Sequence, residues 1–213
     1  MLIHFVTMKQ RLVRCFLGLA FALFLMACSN DDTGGFVPPL LTELVVMNIG
    51  GDGCLESVTL DDGSTYDIRS QQLMSEVKDT VWRCKATYTL VQKKMQMYSI
   101  ERVFCAAPVK AETLGVVNGE ARDLPRDPME VLAMWKSGGF VNMCLGLMTT
   151  GNGSHKYAFC EDSVGHYSLL HARPQDDAES YTEDVYLSMP IPDGLDSLTF
   201  SVYTYDGIYT KEF

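Results

Sequence analysis

Apolar positions along this chain fall into short alternations and short runs, and a helical period is scarce. Trp82, Cys84, Ala86, Tyr88 and Leu90 alternate with Arg83, Lys85, Thr87 and Thr89. Successive strand side chains point to opposite faces, so this period of two predicts one buried and one solvated face. Val141, Met143, Leu145 and Leu147 repeat the pattern within residues 140–149. Residues 44–49 are an apolar run stopped by Gly50-Gly51-Asp52-Gly53, and residues 55–60 continue in strand composition. Asp61-Asp62-Gly63-Ser64 predicts a hairpin turn, because Asp-Gly tolerates the positive φ such turns require. Lys93-Lys94 is expected to turn the chain, and residues 97–105 to return.

These strands sort into two groups. Four or five of them in residues 43–107 suit a small closed barrel, whose closure removes exposed sheet edges. Residues 108–128 change character: Pro108, Gly115, Asn118-Gly119, Pro125 and Pro128 interrupt any regular element, with room for one short strand at 114–117. They predict a linker. Seven strands then follow in residues 129–213, separated by Gly138-Gly139, Gly151-Asn152-Gly153, Asp206-Gly207 and other turn signals. They predict an antiparallel, immunoglobulin-like β-sandwich. Pro190 and Pro192 are expected at a strand end, where a missing N–H does least harm. The fold class predicted is therefore all-β.

One segment is different. Residues 15–26 are apolar and uncharged, and Lys9, Arg11 and Arg14 precede them. A charged start, about 7–15 apolar residues and small residues at the cut make a signal peptide. The run is shorter than the roughly 20 residues a spanning helix needs. Its ending, Leu25-Met26-Ala27-Cys28, resembles the lipobox of bacterial lipoproteins. That resemblance implies cleavage after residue 27, with Met1 or Met8 as the start, and lipidation of Cys28. Residues 28–42 would form a flexible tether. Ser29, Asn30, Asp31 and Asp32 look like the acidic surface-export signal of Bacteroidetes lipoproteins, and equally like a solvated spacer. The expected location is the outer membrane, lipid-anchored, with surface exposure if the acidic stretch is such a signal.

Charge and cysteines narrow the function. The formal net charge is −10, and it becomes −13 once Lys9, Arg11 and Arg14 leave with the signal. That balance argues against a nucleic-acid partner. Five cysteines remain beyond Cys28: Cys54, Cys84, Cys105, Cys144 and Cys160. An odd number cannot all pair within one chain. A hairpin placing Leu145 opposite Phe159 would put Cys144 opposite Cys160, which leaves that disulfide open. No zinc spacing, nucleophile elbow, Walker loop or dinucleotide fingerprint occurs. No cofactor, metal or catalytic residue is expected. His166 and His171 are five apart and would face opposite sides of a strand; with His155 they read as exposed or hydrogen-bonded histidines. Loop 175–179 lacks the spacing of a dedicated calcium loop. Tyr203, Tyr205 and Tyr209 are the candidate ligand-binding residues, since exposed rings stack on sugars or partner side chains. Core or cross-strand packing is the ordinary alternative.

Residues 127–135 (Asp-Pro-Met-Glu-Val-Leu-Ala-Met-Trp), running into Gly138-Gly139-Phe140-Val141-Asn142-Met143, carry a family resemblance. So does the stretch from Tyr181 to Pro190, and, for the first domain, that from Gly53 to Asp67. They resemble the NigD-like lipoproteins of Bacteroidetes. The resemblance implies an N-terminal OB-like domain, a C-terminal β-sandwich and a bacteriocin-immunity role. It supplies no catalytic residues. The expected function is a non-enzymatic envelope lipoprotein that binds a protein partner. A surface glycan-binding accessory lipoprotein is the alternative. Membrane contact would come through the N-terminal lipid.

Overall fold

Period-two alternation becomes strand wherever it occurs. The protein is seen in a computed structural model that describes residues 38–74, 78–117, 120–121, 123–195 and 197–213. The signal segment, Cys28 and the acidic stretch from Ser29 to Asp32 lie outside the described residues. Residues 39–213 form one unit.

Strands β1 (Leu41–Ile49), β2 (Leu55–Leu60), β3 (Thr65–Asp67), β4 (Thr80–Val91) and β5 (Lys94–Arg102) build the first sheet, in the order β3-β2-β1-β4-β5. All its pairings are antiparallel. The sheet curls until its ends meet: Ile68 bridges Met95, and the Arg69 N–H donates to the Met95 carbonyl at 2.9 Å. This gives the OB-like barrel. Its interior is Val45, Met47, Val58, Cys84, Ala86, Tyr88 and Met95, the inward row of each alternation. The β4–β5 turn differs by one residue from expectation. Gln92 and Lys93 hold φ of 52° and 62°, the two positive values a two-residue hairpin turn demands, so Lys94 already belongs to β5.

The next segments are β6 (Phe104–Cys105), β7 (Val109–Lys110), a one-turn helix (Ala111–Leu114), β8 (Val116–Val117) and β9 (Glu120–Ala121). β6 and β7 each join an edge of the sandwich, whereas β8 and β9 pair with each other as a separate ribbon. The sandwich strands proper are β10 (Glu130–Ser137), β11 (Phe140–Thr149), β12 (Lys156–Ser163), β13 (His166–Ala172), β14 (Tyr181–Pro190), β15 (Thr199–Thr204) and β16 (Gly207–Glu212). One sheet runs β10-β11-β14-β6, and the facing sheet runs β16-β15-β13-β12-β7. Val141, Met143, Leu145, Leu187 and Met189 meet Phe159, Leu169, Phe200 and Val202 between them. Pro190 closes β14, as expected.

Two sequence expectations change here. Pairing is not purely antiparallel: β13 runs parallel to β15, β12 to β7 and β14 to β6. Parallel neighbours need a crossover, and between β13 and β15 the chain crosses to the other sheet as β14. The expected hairpin between residues 145 and 159 does not form either. β11 pairs with β10 and β14, whereas β12 lies in the opposite sheet. Gly151-Asn152-Gly153 therefore carries the chain from sheet to sheet, Cys144 and Cys160 are not cross-strand partners, and both thiols are free.

A polar knot joins barrel to sandwich. Arg83 of β4 is only 4% exposed. Its two terminal nitrogens donate to both oxygens of Asp61 at 2.6 and 2.9 Å. It also donates to Asn142 Oδ1 at 3.1 Å and lies over the Phe140 ring at 4.3 Å. Ser137 donates to Asp61 at 2.6 Å, and Ser188 to Asn142 at 2.7 Å. Gly138 has φ +58°, and a Cβ there would lie 2.3 Å from Asp61 Oδ1. The Gly-Gly turn is thus needed both for its dihedral and for the close approach of the carboxylate.

Candidate functional site

At one end of the sandwich four strand ends converge: β11 at Thr149, β13 at Ala172, β14 at Tyr181 and β15 at Thr204. The β15–β16 hairpin turns there through Tyr205-Asp206-Gly207, with Gly207 at φ +123°. Beside this hairpin lies an open cavity of about 540 Å³. Glu130 and Val131 of β10 and Met148 of β11 form one side, and Tyr205, Asp206, Ile208 and Tyr209 of the hairpin form the other. Tyr205, Ile208 and Tyr209 are 43, 60 and 41% exposed. Large apolar surface left in solvent around a cavity is the ordinary mark of a binding surface.

The three tyrosines do not form one stacking surface. Tyr203 opposes Ile208 across the hairpin, and Tyr209 opposes Val202, so Tyr203 and Tyr209 lie on opposite faces. Tyr203 is covered by the Arg126 guanidinium, 4.9 Å from its ring centre. Tyr205 and Tyr209 meet at the cavity. Tyr205 is anchored: its hydroxyl accepts from Arg173 Nη2 at 3.2 Å and donates to Glu179 Oε1 at 3.3 Å. Arg173 and Glu179 are themselves paired at 2.8 Å. Loop 173–179 therefore seats the cavity wall.

That loop is fastened from inside by histidines. His171 continues the inward row of β13 after Tyr167 and Leu169, which explains its burial. The β12–β13 register sets Tyr157 opposite His171, so His155 becomes its diagonal neighbour on the same face. The Tyr157, His171 and His155 rings stack at 5.3 and 5.2 Å. His171 Nδ1 lies 3.0 Å from the Asp127 carbonyl, and its Nε2 lies 2.9 Å from His155 Nδ1. His155 Nε2 lies 2.8 Å from Asp177 Oδ2. Asp177 Oδ1 accepts from Thr150 N and Oγ1 at 2.7 and 2.6 Å. These bonds hold the Asp177 carboxyl well below the ordinary carboxylate range, the Thr150 side chain contributing most.

Sequence spacing did not reveal this chain. His155 and Asp177 are 22 residues apart, and the bond depends on β12 pairing with β13 rather than with β11. A β12–β13 hairpin drawn from the Gly165 turn was the available signal. His166 is exposed and separate, as the five-residue spacing implied. Both carboxylate oxygens of Asp177, the buried acid of loop 175–179, are taken by Thr150 and His155. Among the described residues no group of three or more His, Cys, Asp or Glu is placed to hold a metal ion. Burial pushes the Cys84 and Cys160 thiols up to about 11. Protonated thiols are poor nucleophiles and poor ligands.

The histidine chain fixes a pH dependence. Desolvation lowers the His171 pKa from 6.5. The unfolded chain then takes up a proton here more readily than the folded one, so stability rises with pH through this range. Acidification below about 6.5 should progressively destabilise the protein. The depressed Asp177 contributes stability above about 3.8 that is lost at still lower pH. Urea unfolding at a series of pH values checks this. His171→Phe should flatten the limb between pH 6.5 and 5, and an unchanged slope would refute the assignment.

Comparison with known proteins supports the architecture. No family model matches the chain, and no curated protein matches it. Among solved structures it is similar to a NigD-like immunity protein from Bacteroides caccae, with TM-score 0.60 and 23% identity, covering 84% of this chain and 93% of that one. A toxin-related protein from Parabacteroides distasonis gives TM-score 0.65 at 14% identity, covering 82 and 92%. A protein of unknown function from Bacteroides vulgatus gives 0.59 at 11%, covering 81 and 90%. Barrel, sandwich and their order along the chain are thus shared over nearly the whole of each relative, and the chain has the fold of the NigD-like immunity protein.

Proposed function

We propose that this chain is a non-enzymatic cell-envelope lipoprotein of the NigD-like type that binds a partner in an immunity-type role. The observation that carries the binding part is the open cavity of about 540 Å³ walled by the exposed Tyr205, Tyr209 and Ile208. Its lining joins apolar and aromatic surface with the carboxylates of Glu130 and Asp206, a composition suited to capture. The immunity part rests on the similarity in fold to a protein described as a NigD-like immunity protein. The lipoprotein part rests on the Leu25-Met26-Ala27-Cys28 sequence. Acyl chains on Cys28 would hold the binding face at an outer-membrane surface, since two or more lipid signals give stable anchoring.

The test has two arms. Cys28→Ser should abolish incorporation of labelled palmitate and move the protein from the membrane to the soluble fraction. A variant that partitions like the parent would refute the anchor. Deleting the gene should sensitise cells to at least one toxin, and restoring it with Tyr205→Ala and Tyr209→Ala should not rescue. Unchanged killing curves across a bacteriocin panel would refute the immunity role. The two rings at the cavity also favour one alternative, a surface glycan-binding accessory lipoprotein. Retention of a polysaccharide that is lost in the same double variant would decide for it.

A further inference from the structure

We infer that His155, His171 and Asp177 form a one-proton latch that holds loop 173–179 and, through it, the cavity wall at Tyr205. Hydrogen-bond bookkeeping carries the case. A carbonyl can only accept, so His171 Nδ1 must donate to Asp127 O. A neutral His171 then offers a lone pair at Nε2, and His155 Nδ1 must donate into it. His155 Nε2 faces Asp177 Oδ2, whose partner oxygen is already accepting twice from Thr150. Two neutral imidazoles and a carboxylate carry two protons between them. Three links need three. The complete chain therefore stores one extra proton, shared between His155 and Asp177.

Either change in that count breaks a link. If the proton leaves, His155 has one N–H for two neighbours. One contact shorter than 3 Å then sets lone pair against lone pair, at His171 or at Asp177. If a second proton arrives, His171 Nε2–H faces His155 Nδ1–H. Desolvation of His171 disfavours that second proton, which moves the acid limb downward. The latch is closed over a middle pH range and open on both sides.

The surrounding charges leave the count intact. The Asp127 carboxylate accepts the Arg173 backbone N–H at 2.7 Å. The Arg173 guanidinium is taken by Glu179 and the Tyr205 hydroxyl. Tyr157 stacks on His171, and burial together with Glu183 on β14 pushes its hydroxyl up to about 12. Arg126 covers Tyr203 and lies 3.8 Å from Asp162, and Lys156 points to solvent. None of these groups bonds to the facing nitrogens of the two histidines.

The consequence is mechanical. Asp177 sits between Arg173 and Glu179, the two residues that grip Tyr205. Releasing Asp177 loosens the loop from Thr150 and His155, and Tyr205 loses its seat. The regulatory meaning rests on reading the cavity as the binding site; the latch itself does not. Hydrogen exchange on the lipid-free chain from residue 29 onward, from pH 5 to 9.5 and corrected for intrinsic rates, tests it directly. Protection of loop 173–179 should peak at intermediate pH. It should fall on each side by about tenfold or more, the scale of one lost charge-assisted hydrogen bond. Asp177→Asn should remove the alkaline limb. His155→Leu should leave the loop unprotected at every pH while the β11 and β14 amides stay protected. A flat wild-type profile, or an alkaline limb that survives Asp177→Asn, overturns the latch. A latch found in a protein that guards no cell would sink the immunity reading alone. A flat profile in a protein that does guard cells would sink the latch alone.

Discussion

Arg83→Ala should lower the unfolding free energy by roughly 2–3 kcal/mol, because it removes the ion pair of Asp61, a partly buried carboxylate whose side chain is 22% exposed. Asp61 receives both terminal nitrogens of Arg83, and the guanidinium is almost wholly out of solvent. Truncation also removes one of the two donors to Asn142 Oδ1, leaving Ser188, and exposes one face of Phe140. A domain has about 5–15 kcal/mol of net stability, so the loss is a large fraction. The knot crosses from barrel to sandwich, which gives the prediction a second readout. Trp82 lies on β4 and Trp135 on β10, so single-tryptophan variants report each lobe separately. With Arg83 present the two urea transitions should coincide; in Arg83→Ala they should separate. Replacing both partners, as Arg83→Met with Asp61→Leu, should recover most of the loss, because no unpaired charge remains. Coincident transitions at unchanged midpoint in Arg83→Ala would show that the knot holds nothing.

Phe159→Ala should cost roughly 3–5 kcal/mol, for a different reason. Phe159 is 1% exposed and stands at the centre of the sandwich core. Its ring meets Phe200 at 6.0 Å and Phe104 at 5.5 Å. Phe104 comes from the short β6 that joins the opposite sheet beside β14. Truncation therefore opens a cavity at the contact holding the segment after the barrel against the sandwich. Phe159→Leu keeps the site largely filled and should cost markedly less. Urea midpoints at unchanged m separate the cavity effect from a change in the unfolded state. A Phe159→Ala midpoint within error of the parent would mean that the core does not rest on this ring.

Much of the fold was legible because a strand's side-chain period is short and local. The inward row Trp82 to Leu90, the Asp62-Gly63 hairpin and the row Val141 to Leu147 all appear where alternation put them. The opposite face of β4 is not wholly solvated as expected: Arg83 and Thr89 are buried, Arg83 because that face meets the sandwich at Asn142 and Phe140. Pairing partners were harder. Nothing local distinguishes a Gly-rich hairpin from a Gly-rich passage between sheets, so residues 151–153 suggested a neighbour for Cys144 that the sandwich does not supply. Of the candidate site, the tyrosines of the last hairpin were visible as an aromatic cluster, while their sorting onto two faces followed from the β15–β16 register.

The sequence by itself determined what depends on neighbours along the chain: all-β class, two groups of strands, turn positions, and an acidic balance of net charge −10. Tertiary structure decided what depends on distant residues sharing a place. Arg83 meets Asn142 across 59 positions, and Asp177 meets His155 across 22. Such meetings follow from which strands pair and which sheets face each other. Those choices minimise exposed apolar area and unpaired polar groups over the whole molecule, and no window of sequence contains that sum.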